Sequence, residues 1–209
     1  DLSIGVAQDE AFNFYYRDNL ELMELAGAKI VPFSPVHDAS LPEVDGIYIG
    51  GGYPEIYARE LSENQSFKSS IQKAHERDIP IFGECGGLMY LGREIEWDGG
   101  PQEMAGLIPG KARRGTRRIV SYVHGHLAQV SPLGRTGEYI MGHEFHHSEM
   151  LIDPKARVEY AIRLERGTGI ADGLDGIHIG NLVASYSHIH SASFRGFPAN
   201  FLSACRDRR

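Results

Sequence analysis

The chain has 209 residues, 42% of them hydrophobic and 23% charged, with a formal net charge of −7. That composition excludes disordered and fibrous classes, and the length supports one domain with a single sizeable core. The acidic balance, with a pI near 5.8, gives no electrostatic basis for binding nucleic acid or an anionic membrane, which leaves small-molecule chemistry as the expectation.

Two cysteines, Cys85 and Cys205, are too few for a disulfide framework and point to a reducing, cytoplasmic setting. No apolar run approaches the roughly 20 residues that cross a bilayer, and no basic region followed by a hydrophobic stretch opens the chain. A soluble protein is expected. The chain starts at Asp1 and enters the apolar run LSIGVA without a methionine, as a domain cut from a longer polypeptide would.

In chain order, SIGVA (3–7), KIVPFS (29–34), GIYIGGG (46–52) and IPIFGEC (79–85) read as short buried strands. Helices are predicted between them over Arg17 to Ala26, Pro54 to Glu63 and Ser66 to Arg77. That alternation implies parallel strands with crossover helices on both faces. Beyond Trp97, glycine and proline recur. The runs RRIVSYV (117–123), EYIMGHEF (138–145), VEYAIRL (158–164) and NLVASYSH (181–188) are rich in β-branched and aromatic residues, which predicts a more antiparallel half. The expected class is α/β, a single domain over 1–209 with a mostly parallel central sheet. The tail CRDRR (205–209) reads as frayed.

The first chemical candidate is GIYIGGGYPE (46–55), an apolar strand ending in three glycines. Glycine N–H groups at the carboxyl end of a strand can point into a ligand crevice, or can simply make a tight turn. Neither the dinucleotide nor the phosphate-loop glycine motif occurs in the chain.

The second is IPIFGECGGLMYLG (79–92), in which Cys85 falls where a buried strand turns into a helix. This is the cysteine counterpart of the G-x-S-x-G nucleophile elbow, and a helix N-terminus there would lower the thiol pKa. The competing reading is a small buried cysteine. A thiolate attacking an amide needs a proton acceptor. NLVASYSHIH (181–190) ends an apolar strand with His188 and His190 projecting the same way.

Together with DEAFNFYYRDNLELM (9–23), these motifs resemble the class I, triad-type glutamine amidotransferase domains of the cobyrinic acid a,c-diamide synthase family, over nearly the whole chain. The resemblance implies a flavodoxin-like fold and a glutaminase in which Cys85 attacks the glutamine carboxamide. It makes His188 the general base and acid, and Gly51 or Gly52 with Gly86 the oxyanion hole. Two positions depart from the wider class. His190 stands where a glutamate orients the histidine, and Met89 stands where a glutamine helps to hold the substrate. His190 or Glu84 is then a candidate orienting group, and Arg117, Arg118 and Tyr122 are candidate contacts for the glutamine carboxylate. The resemblance also implies an ATP- and Mg-using synthetase domain absent from this chain, a glutaminase that is weak alone, and a possible homodimer. Nickel-sirohydrochlorin a,c-diamide synthase is the nearest alternative, and cobyric acid synthase and the amidotransferase subunit acting on lipid II are more distant ones.

A rival from another class is carried by GHEFHHSE (142–149), where His143, Glu144 and His147 satisfy the zinc-hydrolase pattern H-E-x-x-H. Two histidines four apart lie about 6 Å from each other on a helix. In a strand they lie roughly 13 Å apart, too far to share an ion. The nearby glycines and aromatics predict a strand, hence no metal. A non-catalytic docking subunit is a further alternative.

Overall fold

The computed structural model describes residues 2–208. In chain order the first half contains β1 (Leu2–Ala7), β2 (Phe12–Phe14), α1 (Arg17–Leu25), β3 (Ala28–Phe33), β4 (Gly46–Ile49), β5 (Gly51–Gly52), α2 (Ala58–Glu63), α3 (Gln65–Glu76), β6 (Ile81–Glu84) and α4 (Gly86–Leu91). The second half contains β7 (Glu94–Trp97), β8 (Gly100–Glu103), β9 (Gly110–Leu127), β10 (Tyr139–Ile152), β11 (Glu159–Arg166), β12 (Leu174–Ile179), β13 (Leu182–Ser185), β14 (His188–Ile189) and α5 (Phe197–Asp207).

The main sheet runs β14-β10-β9-β11-β12-β13-β6-β4-β1-β3. Every pairing from β13 to β3 is parallel, and every pairing from β14 to β13 is antiparallel. β4, β6 and β13 are buried at every residue, as strands covered on both faces must be. Alternate residues feed two cores. Ile47 and Ile49 pack with Leu61, Phe67 and Leu88 of α2, α3 and α4. Tyr48 and Phe82 pack with Met23 of α1 and Phe197 and Phe201 of α5. Because two residues separate β13 from β14, at opposite ends of the antiparallel run, that half of the sheet curls back on itself.

Three expectations need correction. The helix expected from Pro54 begins at Ala58. The Ile56 N–H closes a turn onto the Tyr53 carbonyl at 3.0 Å, so Pro54 to Ile56 is a turn. NLVASYSH is not one strand. Buried Asp175 accepts both the Tyr186 and Ser187 N–H groups at 3.0 Å and breaks the run between β13 and β14. The frayed tail is instead α5 through Asp207. Phe197, Phe201, Leu202 and Cys205 recur at helical spacing and bury one face, and Cys205 packs against Gly46. Arg209 lies outside the described residues. Among the described residues, no helix is long and apolar enough to cross a membrane.

Candidate active site

Cys85 terminates the buried strand β6 with φ +49° and ψ −93°. Such a conformation is rare for any residue with a Cβ and is held only where the surroundings enforce it. Here Gly87 permits it. A Cβ on Gly87 would lie 2.1 Å from the Ile49 carbonyl oxygen, so only glycine lets α4 press onto β4. The Cys85 N–H is tied to the Ser185 carbonyl at 2.7 Å, and the sulfur faces the Phe145 carbonyl at 3.7 Å. The thiol opens into a cavity of about 190 Å³ that His188, His143, Phe14, Met89, Glu55 and Gly52 also line. That volume lies below the usual range for drug-sized ligands and suits a molecule of amino-acid size.

Gly52 lines this cavity, and Gly51 and Gly86 pack directly behind it. A Cβ on Gly86 would stand 3.1 Å from the Gly52 nitrogen and from Pro54 Cδ. One on Gly51 would stand 2.7 Å from His188 Cε1. The Gly86 N–H acts directly on the Cys85 sulfur. β5, β6 and the start of α4 therefore converge within one van der Waals layer, as donors flanking a reacting carbonyl must.

His188 is buried, with its ring parallel to that of His143 at 4.8 Å and 12° and edge-on to Phe14 at 5.0 Å. His143 is itself held by the Tyr16 hydroxyl, 2.6 Å from its Nδ1. The backbone beside His188 is fixed from two sides. Glu84, next to Cys85, accepts the Ile189 N–H at 2.7 Å and the Tyr48 hydroxyl, and Asp175 holds the preceding Tyr186 and Ser187. Among the described residues, His188 Nδ1 is buried without a hydrogen-bond partner.

The electrostatics differ from the thiolate expected of a helix terminus. Burial pushes the Cys85 thiol up to about 12, and the carboxylates of Glu55 and Glu84 add to that shift. Burial, with the neighbouring His143 and His146, pushes His188 down to about 3. The resting pair is therefore a neutral thiol and a neutral imidazole, because a short helix offsets only part of the desolvation of a sealed thiolate. Glu84 is raised to about 7 by burial, against the opposing hydrogen bonds from Tyr48 and Ile189.

His190 does not reach His188. Its Nδ1 accepts the Ala192 N–H at 2.9 Å, its Nε2 lies 3.8 Å from Asp18, and its ring rests on Tyr16 at 4.3 Å. Tyr122 is 76% exposed, opposite His143 in the β9–β10 register and away from the cavity lining. Arg117 and Arg118 line a wider adjoining cavity that shares Tyr53, Glu55, Trp97 and His147 with the first. Arg118 Nε faces His147 Nε2 at 3.1 Å. In GHEFHHSE the segment lies inside β10, so the spacing a zinc pair requires is absent. Glu144 turns inward to accept the Thr168 and Gly169 N–H groups at 2.6 and 3.0 Å, while His143 and Phe145 line the cavity.

Sequence reasoning passed over Phe14, Tyr16, Glu55, His146 and Asp175. The aromatic run FNFYY was visible but carried no role of its own. Asp175, in LDGIHIG, carries no local signal at all.

The family model of the CobB/CobQ-like glutamine amidotransferase domain matches residues 3–196. The chain belongs to this family. It is 50% identical over 219 residues to the cobyrinate a,c-diamide synthase of Methanosarcina barkeri, covering 99% of this chain and 44% of that protein. The synthase of Methanothermobacter thermautotrophicus is 50% identical over 200 residues, with 95% and 43% covered. That of Salmonella typhimurium is 42% identical, with 98% and 45% covered. The amidotransferase domain thus spans less than half the length of these curated relatives. Its fold is that of the Thermotoga maritima PurLQS structure, with a TM-score of 0.69, 17% identity, and 99% and 98% of the two chains covered.

Proposed function

We propose that this amidotransferase domain is the glutaminase part of a cobyrinate a,c-diamide synthase, releasing ammonia from glutamine for ATP-dependent amidation of two corrin carboxylates in cobalamin biosynthesis. The observation that carries the chemistry is the strained Cys85 at +49°, opening into one cavity with His188 and Gly52, against which Gly51 and Gly86 pack. The acceptor follows the names of the relatives.

His188 takes the thiol proton as the sulfur attacks the glutamine carboxamide carbon. The carbonyl oxygen becomes an oxyanion held by N–H groups of Gly52 or Gly51 and Gly86, donors of a kind worth about 3 kcal/mol each. Collapse gives a γ-glutamyl thioester, and His188 returns the proton to the departing nitrogen, which leaves as ammonia. Water attacks the thioester with His188 as base, yielding glutamate and free Cys85.

In the resting site, with the thiol near 12 and the imidazole near 3, this first proton transfer is strongly uphill. Glutaminase activity of the domain alone is accordingly weak, and a synthetase partner raises it. ATP and Mg act in that partner. This chain has no phosphate-binding loop, and none of its residues is assigned to them.

The test is ammonia release from glutamine by the complete protein, wild type against Cys85→Ala. The variant loses at least about 10³-fold in glutamine-dependent turnover and keeps amidation from free ammonium. Glutamine consumption that persists in Cys85→Ala and is abolished by a chelator would return the zinc hydrolase to contention.

A further inference from the structure

Glu55 stands on the turn that follows Gly52, with Tyr53 and Pro54 between them, and it lines both the Cys85 cavity and the wider one beside it. Among the described residues its carboxylate has no side-chain partner. Its own backbone N–H and the distant field of Arg114 are the stabilising influences on it, and burial acts against its charge. Arg114 is committed elsewhere, bonded to Asp98 at 2.5 Å and stacked over Trp97 at 5.0 Å. A half-buried carboxylate without a cation is costly unless a cation arrives from outside. In the wider cavity, Arg118 lies over the Phe145 ring at 5.7 Å, and among the described residues it has no carboxylate partner.

One anionic and one cationic side chain thus share the wider cavity, which adjoins through Glu55 the one into which the thiol opens. That arrangement fits a zwitterionic amino acid, whose ammonium lies four bonds from its side-chain carboxamide carbon. Resting on the glutaminase reading, we propose that Glu55 binds the α-ammonium group of glutamine and thereby selects a free amino acid over other carboxamides. The loop from Gly52 to Glu55 then carries both an oxyanion donor and the substrate anchor, so seating the ammonium sets the carboxamide at Cys85. A second consequence concerns the thiol. Glu55 is one of the charges holding Cys85 protonated, and an ammonium paired with it removes that influence as substrate binds.

The experiment compares ammonia release from L-glutamine and from glutaramate, which has the same carboxamide and carboxylate but no amino group, in the complete protein. Wild type should prefer glutamine in kcat/KM by on the order of 10- to 100-fold, the range for a hydrogen bond to a charged group. In Glu55→Gln that preference should collapse through a raised KM for glutamine, while glutaramate turnover is kept or raised, because the charge that holds the Cys85 thiol protonated is gone. A Glu55→Gln variant that keeps the full preference, or that loses both substrates equally, overturns the assignment and leaves the glutaminase reading intact. Wild-type protein that releases no Cys85-dependent ammonia from either compound overturns both.

Discussion

Cys85 stands on a turn shaped by its immediate neighbours, Gly83, Gly86 and Gly87, pressed against β4. His188 is held by Glu84, Asp175, His143 and Phe14, each brought from a distant part of the chain. The first arm is a matter of backbone sterics, where one added methyl group meets a carbonyl oxygen. The second is a matter of buried polar groups and ring stacking, which titrate and can be lost one at a time. The elbow should therefore fail abruptly and independently of pH. The histidine arm should fail by degrees and respond to pH.

The largest effect should come from the elbow. Gly87→Ala places a Cβ 2.1 Å from the Ile49 oxygen, and neither backbone can yield without moving α4 away from β4. We expect about 3 kcal/mol of destabilisation in urea unfolding, at the upper end of overpacking costs, and loss of glutamine turnover. A variant of wild-type stability would show that the elbow has slack and that the contrast between the arms is overstated.

Next in size is Asp175→Ala in the histidine arm. It leaves the Tyr186 and Ser187 N–H groups buried without their acceptor, at about 1 kcal/mol each, the low end for an unsatisfied group, because the burial cost of the carboxylate is removed with it. Glutamine kcat should fall about 10-fold or more, since His188 follows directly on the freed segment. Alkylation of Cys85 by a small neutral electrophile should not slow, because the elbow is untouched and the lost Asp175 charge only helped to hold the thiol protonated. Equal loss of both would merge the two arms into one structural unit.

This division also explains what could be read from the chain. The parallel half was legible because fully buried strands such as β4 (GIYI) and β6, reached through IPIF, need an uninterrupted apolar run. The elbow was legible because glycines on both sides of a cysteine have few other uses. The gripping of His188 was not. Asp175 and Glu84 act through backbone N–H groups exposed by a break at Tyr186 and Ser187, and nothing in NLVASYSH marks that break. Likewise His143 attracted attention as a metal ligand, through a spacing that has meaning only on a helix. On β10 the same residue became the stacking partner of His188.

A smaller and pH-dependent effect lies within the histidine arm. Glu84 in the folded protein is raised to about 7, above an ordinary value near 4.5. A raised carboxyl contributes stability that is fully present below the unfolded value and is lost as pH rises through the folded one. Wild type should therefore lose stability relative to Glu84→Gln between about pH 5 and 8, and match it most closely near pH 5. His188 works in the opposite sense. Its folded value near 3 lies below the ordinary 6.5, so its contribution is present above 6.5 and declines as pH falls toward 3. Thermal melts across pH 4–8 separate the two, because only the alkaline slope should vanish in Glu84→Gln. An alkaline slope equal to that of wild type would mean that Glu84 stays ionised throughout and acts only as an acceptor.

The smallest effect belongs to His190, the residue that stands where the wider class carries its orienting glutamate. Its ring rests on Tyr16, its Asp18 contact is long at 3.8 Å, and Asp18 is 66% exposed. Contacts of that kind contribute under about 1 kcal/mol. His190→Ala should leave glutamine kcat/KM within about fivefold of wild type, since Tyr16 keeps its bond to His143 and His143 keeps its stack on His188. His143→Ala should cost more, because it removes that stacked neighbour directly. The order of these two variants decides how the histidine is oriented. If His190→Ala proved the worse, orientation would run along β14 from the neighbouring histidine. If His143→Ala proves the worse, as the geometry requires, orientation comes from across the sheet. The position vacated by the glutamate is then filled in function by a ring on β10.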